Sequence, residues 1–216
     1  MCDYLNLMKL KKLKIIPVDI LLVGAVGSGK SSTLNTICGA YKFETSDGFD
    51  CKTMVIEGIQ VNDYIRMWDS PGFGNGIQND YVNSLKITEA LSQKVEVNNN
   101  MVDVFDIVIL VINSNIRDFN SVFYILDNII VPRFCFSNVI IAVNKIDTLL
   151  SGNHWDKQNN CPDEVLSGYL DKIFKEIIYR ITSQGYLVKH FIYYSATKKY
   201  NIDKLFDCIA DIISDQ

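Results

Sequence analysis

The chain alternates between two kinds of hydrophobic pattern. Short stretches that are apolar throughout, "VDILLVG", "FDIVILVIN", "NVIIAVN" and "HFIYYSA", recur from Val18 onward. Strands buried on both faces of a parallel sheet read this way. Between them lie helical stripes. In "DFNSVFYILDNIIVP" the residues Phe119, Val122, Phe123, Leu126, Ile129 and Ile130 share one side, with Asp118 as the expected N-cap and Pro132 as the stop. From Asp163 to Thr182 the stripe is Leu166, Leu170, Ile173, Phe174, Ile177 and Ile181, with Gly185 as punctuation, and Asn201 to Ile213 makes a last helix. "TMVIEGIQVNDYIRMWD" differs: it reads as two strands turning at Asn62-Asp63. The segment Glu96 to Asn100, "EVNNN", reads as a polar loop. The expected fold is α/β: three layers, a mostly parallel six-stranded sheet with one antiparallel edge strand, and helices on both faces.

Composition narrows the classes. With 216 residues, 48% hydrophobic and 21% charged, one domain with a sizeable core is expected, spanning residues 18–216 after an extension at 1–17. That extension is lysine-rich with Leu5, Met8, Leu10 and Leu13 apolar, which suits a short amphipathic helix or a loose tail. A net charge of −4 argues against a broad nucleic-acid surface. The six cysteines are scattered without a CxxC pair, so reduced thiols in the cytoplasm are expected rather than zinc. Apolar runs such as Val108 to Ile112 are far too short to span a membrane.

The candidate chemistry sits where the strands end. The first strand runs into "GAVGSGKSS", in which Gly24, Gly29, Lys30 and Ser31 satisfy G-x-x-x-x-G-K-[ST] between a strand and a helix. Small residues at Gly24, Gly27, Ser28 and Gly29 let backbone N–H groups approach phosphate, and Ser31 and Ser32 open the helix whose N-terminus adds positive potential. Lys30 would contact the β- and γ-phosphates and Ser31 would ligate Mg²⁺. "WDSPGFGNG" places Asp69 to hold Mg²⁺ through water and the Gly72 N–H to bind the γ-phosphate. In "NKID", Asp147 would accept from the guanine N1–H and amino group, a donor pair that adenine lacks. Lys145 would cover the base and Asn144 would brace the loops. In "SAT", Ser195 to Thr197, the Ala196 N–H would meet the guanine carbonyl.

These four motifs, in this order, resemble the Era-like branch of the translation-factor-related P-loop GTPases over essentially Val18 to the C-terminus. "GKSSTLNTICG", "NSNIRDFNS", "NKIDTLLSGNHWD" and "IYYSATKKYNIDKL" are similar, more narrowly, to the prophage-type YfjP/YeeP GTPases. The resemblance implies GTP/GDP and Mg²⁺ as ligands and GTP hydrolysis as the activity. It also implies a mobile Mg²⁺-binding threonine before the hairpin. Thr45 and Thr53 compete for that role, and Thr53 matches the family placement better. The position after Gly72, where Ras-like proteins carry a catalytic glutamine, is Phe73. Some relatives use potassium held by an asparagine where this chain has Gly27, which offers no ligand. A second protomer is therefore the expected source of help, with Arg117 and His154 as candidates to act in trans. The function this implies is a slow GTPase switch working through dimerisation or an effector. The alternatives are a ribosome- or RNA-associated assembly GTPase, a membrane-linked GTPase, and a GTP-binding scaffold.

Overall fold

The computed structural model describes residues 17–39, 56–97 and 100–215. Thr45, Thr53 and all of the N-terminal extension except Pro17 lie outside them. Six strands form the main sheet: β1 (Val18–Gly24), β2 (Glu57–Asn62), β3 (Ile65–Asp69), β6 (Ile107–Asn113), β7 (Val139–Asn144) and β10 (His190–Tyr193). Their order is β10-β7-β6-β1-β3-β2. Every pairing is parallel except β2 with β3, so the antiparallel strand lies at the edge as expected. Its turn is closed by the Asn62 carboxamide, which accepts from the Tyr64 N–H at 2.8 Å.

The all-apolar strands follow from burial on both faces. Along β6, Val108, Leu110 and Ile112 enter one core while Ile107, Ile109 and Val111 enter the other. The first core is covered by α2 (Ile77–Leu91), α3 (Asn120–Ile125) and α4 (Glu164–Thr182). The second is covered by α1 (Lys30–Cys38) and α5 (Ile202–Ser214), through Leu34, Leu205, Ile209, Ile212 and Ile213. A switch of side with each residue is the period of an extended strand, and both sides are dry.

Three local expectations need correction. "EVNNN" is not only a loop: β4 (Lys94–Val97) and β5 (Asn100–Asp103) pair antiparallel as a separate two-stranded ribbon. Its described side chains, Val95, Met101 and Val102 among them, are exposed and pack into no core. Asp118 does not cap α3. Its carboxylate accepts from the Asn120 N–H at 2.9 Å, an Asx-type turn one residue early, and Phe119 takes the cap position without a side-chain bond. The helix also does not stay α-helical to Pro132. Residues Leu126–Ile130 widen into a π turn, closed by the Val131 N–H on the Leu126 carbonyl at 2.9 Å. Leu126, Ile129 and Ile130 are all buried there. A short ribbon of β8 (Trp155–Asp156) and β9 (Cys161–Pro162) precedes α4. Among the described residues no helix is long and apolar enough to cross a membrane.

Candidate functional site

The carboxyl ends of β1, β3, β7 and β10 bring the four motifs to one side of the sheet, the place where parallel α/β sheets bind ligands. After β1 the chain turns through Gly24 to Gly29. Gly29 is left-handed, with φ +97°, and a Cβ there would collide with the Asn144 carboxamide. At Gly27 a Cβ would meet nothing, so this side of the loop is open. Because α1 begins at Lys30, its first intrahelical N–H bond is that of Thr33 to the Gly29 carbonyl, 2.9 Å. The N–H groups of Ser31 and Ser32 therefore have no intrahelical acceptor. The Lys30 ammonium lies over the loop, donating to the carbonyls of Gly24 at 3.1 Å and Ala25 at 3.2 Å. Ser28 is 1% exposed and its hydroxyl has no partner among the described residues.

Ser31 and Asp69, singled out from sequence as a pair, come together. Ser31 Oγ donates to Asp69 Oδ2 at 2.6 Å, and Asp69 is completely buried at the end of β3. A hydroxyl and a carboxylate converging beside a lysine suit a hard cation that takes its remaining ligands from phosphate and water. Among the described residues no group of three or more His, Cys, Asp or Glu side chains converges as a metal site. The next residues are stitched to the phosphate loop. The Phe73 N–H donates to the Gly24 carbonyl at 3.3 Å, and the Val26 N–H donates to the Phe73 carbonyl at 2.6 Å. Gly72 packs so closely that a Cβ would stand 2.8 Å from the Val26 backbone. Gly72 is a buried residue, and its own N–H meets no acceptor among the described residues. Such donors are rare in native structures, and this one is a fit for an anionic ligand. Phe73 is 2% exposed, its ring 6.1 Å from that of Tyr124, so it is a core residue.

Asn144 ties three loops together. Its Nδ2 donates to the Ser28 carbonyl at 3.0 Å, and its Oδ1 accepts from the N–H groups of Lys145 at 2.7 Å and Ala196 at 3.1 Å. The Ala196 N–H expected at the guanine carbonyl is thus engaged within the protein; a base would have to share it. Ser195 Oγ donates to Asp147 Oδ1 at 2.6 Å and accepts from the Lys198 N–H at 3.0 Å, which holds the half-buried carboxylate in place. Lys145 is left-handed, φ +65°, its carbonyl accepting from Ser114 Oγ at 2.9 Å and Thr148 Oγ1 at 2.8 Å.

The two residues expected to act in trans are placed elsewhere. His154 Nδ1 lies 2.9 Å from Asp163 Oδ2, and Asp163 caps α4 by accepting from the Leu166 N–H. Its neighbour Trp155 is buried with Leu149 and Leu166 and meets the Tyr200 ring edge-on. Arg117 is exposed and makes no ion pair among the described residues. It lines a groove of about 370 Å³ with Tyr169, Ile173, Glu176 and Arg180. Several residues that brace the site were not singled out from sequence. Thr33, Ser114 and Tyr194 fall inside or beside the quoted segments without a role assigned to them, and Asn83 lies in none of them.

A family model described as "50S ribosome-binding GTPase" matches residues 19–145, more than half of the chain. Immune-associated nucleotide-binding protein 10 of Arabidopsis thaliana is 36% identical over 81 residues, which are 33% of this chain and 18% of that protein. The chain therefore matches less than a fifth of this curated relative's length. Among solved structures, Era in complex with MgGDPNP and a segment of 16S ribosomal RNA has a TM-score of 0.63 at 15% identity, covering 92% of this chain and 57% of that one. A dimerisation-deficient mutant of Toc33 from Arabidopsis thaliana has a TM-score of 0.70 at 15% identity, covering 98% and 90%. Toc33 in complex with GDP and Mg²⁺ gives 0.65 at 14%, covering 99% and 90%. At these identities the structural likeness establishes the fold.

Proposed function

The chain belongs to the 50S ribosome-binding GTPase family, a GTP-binding GTPase domain of P-loop fold, and from that premise we propose that it is a nucleotide-dependent switch with slow turnover that works by pairing on its nucleotide face. The prophage-type YfjP/YeeP subgroup is the proposed place within the family, and residues 18–216 the proposed extent of the domain. One observation carries the reading: Phe73 is buried and hydrogen-bonded to the phosphate loop, so nothing at that position can orient water. The lysine over the phosphate loop, the Ser31–Asp69 pair and the Ser195–Asp147 pair support nucleotide binding, and Phe73 offers no water-positioning group.

In this reading Lys30 and the N–H groups of Gly27 to Ser32 hold the phosphates, and the Gly72 N–H meets the γ-phosphate. Asp147, oriented by Ser195, selects guanine. Bound magnesium supplies charge neutralisation on the phosphates, and Ser31, Asp69 and Thr53 would hold it. Arg117 is the residue a second protomer would contribute, because it is exposed and unpaired beyond the end of β6. An arginine supplied in trans is worth roughly 10³–10⁵ in rate. His154, committed to Asp163, would more simply fix the start of α4. Toc33, which shares the fold, is known by name in a dimerisation-deficient form, and this supports pairing as a mode open to the fold.

The test combines light scattering with kinetics. The protein is expected to be monomeric with GDP and dimeric with a non-hydrolysable GTP analogue. Turnover per protomer should climb as protein rises through the micromolar range. A flat rate together with an unchanged mass would overturn the pairing mechanism. The family description and the fold shared with an RNA-bound Era favour a second reading, a ribosome-associated assembly factor. GTP-dependent co-sedimentation with ribosomes would select it.

A further inference from the structure

The loop after Gly72 is held from α2 as well as from the phosphate loop. Asn83, on the second turn of α2 and 8% exposed, donates from Nδ2 to the Gly72 carbonyl at 2.9 Å. The N–H of the same peptide group, that of Phe73, is on the Gly24 carbonyl. The Gly72–Phe73 peptide plane is therefore pinned at both edges. The following plane is pinned likewise: its carbonyl, that of Phe73, accepts from Val26, and its N–H, that of Gly74, donates to Asp80 Oδ1 at 2.9 Å. Asp80 also accepts from the Asn75 N–H at 3.2 Å. Upstream, Pro71 has a fixed φ, and Ser70 Oγ donates to the Leu22 carbonyl at 2.6 Å. Among residues 70–75 the N–H that meets no acceptor among the described residues is that of Gly72.

We propose that Asn83 is a positioning residue for γ-phosphate recognition: it holds the Gly72–Phe73 peptide so that the Gly72 N–H stays aimed at the nucleotide, with Asp80 as the outer anchor. This rests on the GTPase reading and deepens it. A buried amide on an otherwise apolar helix face, beside Ile87, Ala90 and Leu91, has no packing reason to be there. Its position makes α2 the lever that feels the γ-phosphate. Any shift of Gly72 toward a ligand must either carry Asn83 with it or break a buried hydrogen bond.

The experiment measures affinities for GDP and for a non-hydrolysable GTP analogue, in magnesium, on the full chain. Asn83→Leu removes the donor and keeps the number and branching of side-chain heavy atoms. It is expected to weaken the GTP analogue about 5- to 30-fold, the usual cost of stranding a buried carbonyl, while GDP affinity stays within about twofold. Asn83→Asp, which turns an acceptor toward the carbonyl, should weaken the analogue further. Asp80→Ala should show a smaller selective loss that Asp80→Asn restores, since the carboxamide oxygen still accepts. Equal losses for both nucleotides would mean a merely structural residue and overturn the proposal, as would no loss for either. A wild-type chain that binds neither nucleotide would instead overturn the GTPase reading itself. Circular dichroism of each variant separates misfolding from selective loss; if Asn83→Leu does not fold, the Asp80 pair decides.

Discussion

At the scale of single residues, Phe73 and Asp106 show the same side of burial. Phe73 gives up a catalytic option to fill the core between α2 and α3, and the backbone around it takes over the contact with the phosphate loop. Asp106 sits at the opposite end of the sheet, where β6 begins. Burial pushes its carboxyl up to about 6, against the Asp19 N–H that it accepts at 2.8 Å, and the nearby Asp19 carboxylate adds to the rise. Arg66 is already bidentate on Asp19, so it compensates only in part. In the unfolded chain Asp106 would titrate near 3.9, so between about pH 4 and 6 the folded state binds more protons. Stability from this group therefore falls as pH rises through that window, by about 3 kcal/mol at most. Asp106→Asn keeps an acceptor for the Asp19 N–H and has no charge to bury. Urea unfolding should show the variant equal to wild type near pH 4 and more stable by about 1–2 kcal/mol at pH 7.5. A difference independent of pH would mean the carboxylate is not the source.

At the scale of elements, the prediction worth making concerns the hydroxyl chain that joins β10 to α1. Thr33 Oγ1 donates to the Gly29 carbonyl at 2.7 Å, so the Tyr194 hydroxyl, 2.7 Å away and completely buried, must be the donor to Thr33. Burial raises the Tyr194 phenol well above its ordinary value, so it remains a donor at every working pH. Tyr194→Phe should cost about 1 kcal/mol, seen as a melting point lower by about 2–4 °C. It should also speed GDP release about two- to fivefold, because Gly29 is loosened. Unchanged release with lowered stability would limit the chain to a structural role. This link was not legible in the sequence, where Tyr194 reads as one more apolar residue of "HFIYYSA". What was legible had a period or a spacing. The four buried strands, the stripes on α3 and α4, the turn at Asn62-Asp63 and the phosphate loop all appear where the pattern places them. Ser31, at the start of α1, meets Asp69 at the end of β3, and Ser195, after β10, meets Asp147, after β7. What escaped has no local signature. The described side chains of the β4–β5 ribbon are exposed, the π turn keeps a helical stripe, and Asn83 finds Gly72 only through the packing of α2.

At the scale of the whole molecule, the site is made of loops rather than of a core, and this fixes how the ligand should act on stability. The phosphate loop, the Asp69–Gly72 turn, the base loop and the Ser195 loop touch one another through few side chains, Asn144 above all. A ligand that bridges all four would be felt by both cores at once, since β1 and β7 each feed one loop and face both cores. Binding to the folded state alone stabilises it by about 2.7 kcal/mol when free ligand is at about a hundred times Kd. For a domain of this size that corresponds to a rise in Tm of about 5–10 °C. GDP with Mg²⁺ should give this shift and ADP with Mg²⁺ should not, because adenine lacks the donor pair for Asp147. Lys30→Ala should lose the shift with GDP and with the GTP analogue alike. Asp147→Asn should lose the preference for guanine while keeping its fold. Chelating Mg²⁺ should reduce the shift with the GTP analogue more than the shift with GDP, because Ser31 and Asp69 would hold an ion that offsets the larger phosphate charge of the triphosphate. Thermal unfolding across these ligands and variants checks all four expectations. Equal shifts with ADP and GDP would remove Asp147 from base recognition, and a full shift in Lys30→Ala would remove the phosphate loop from the site.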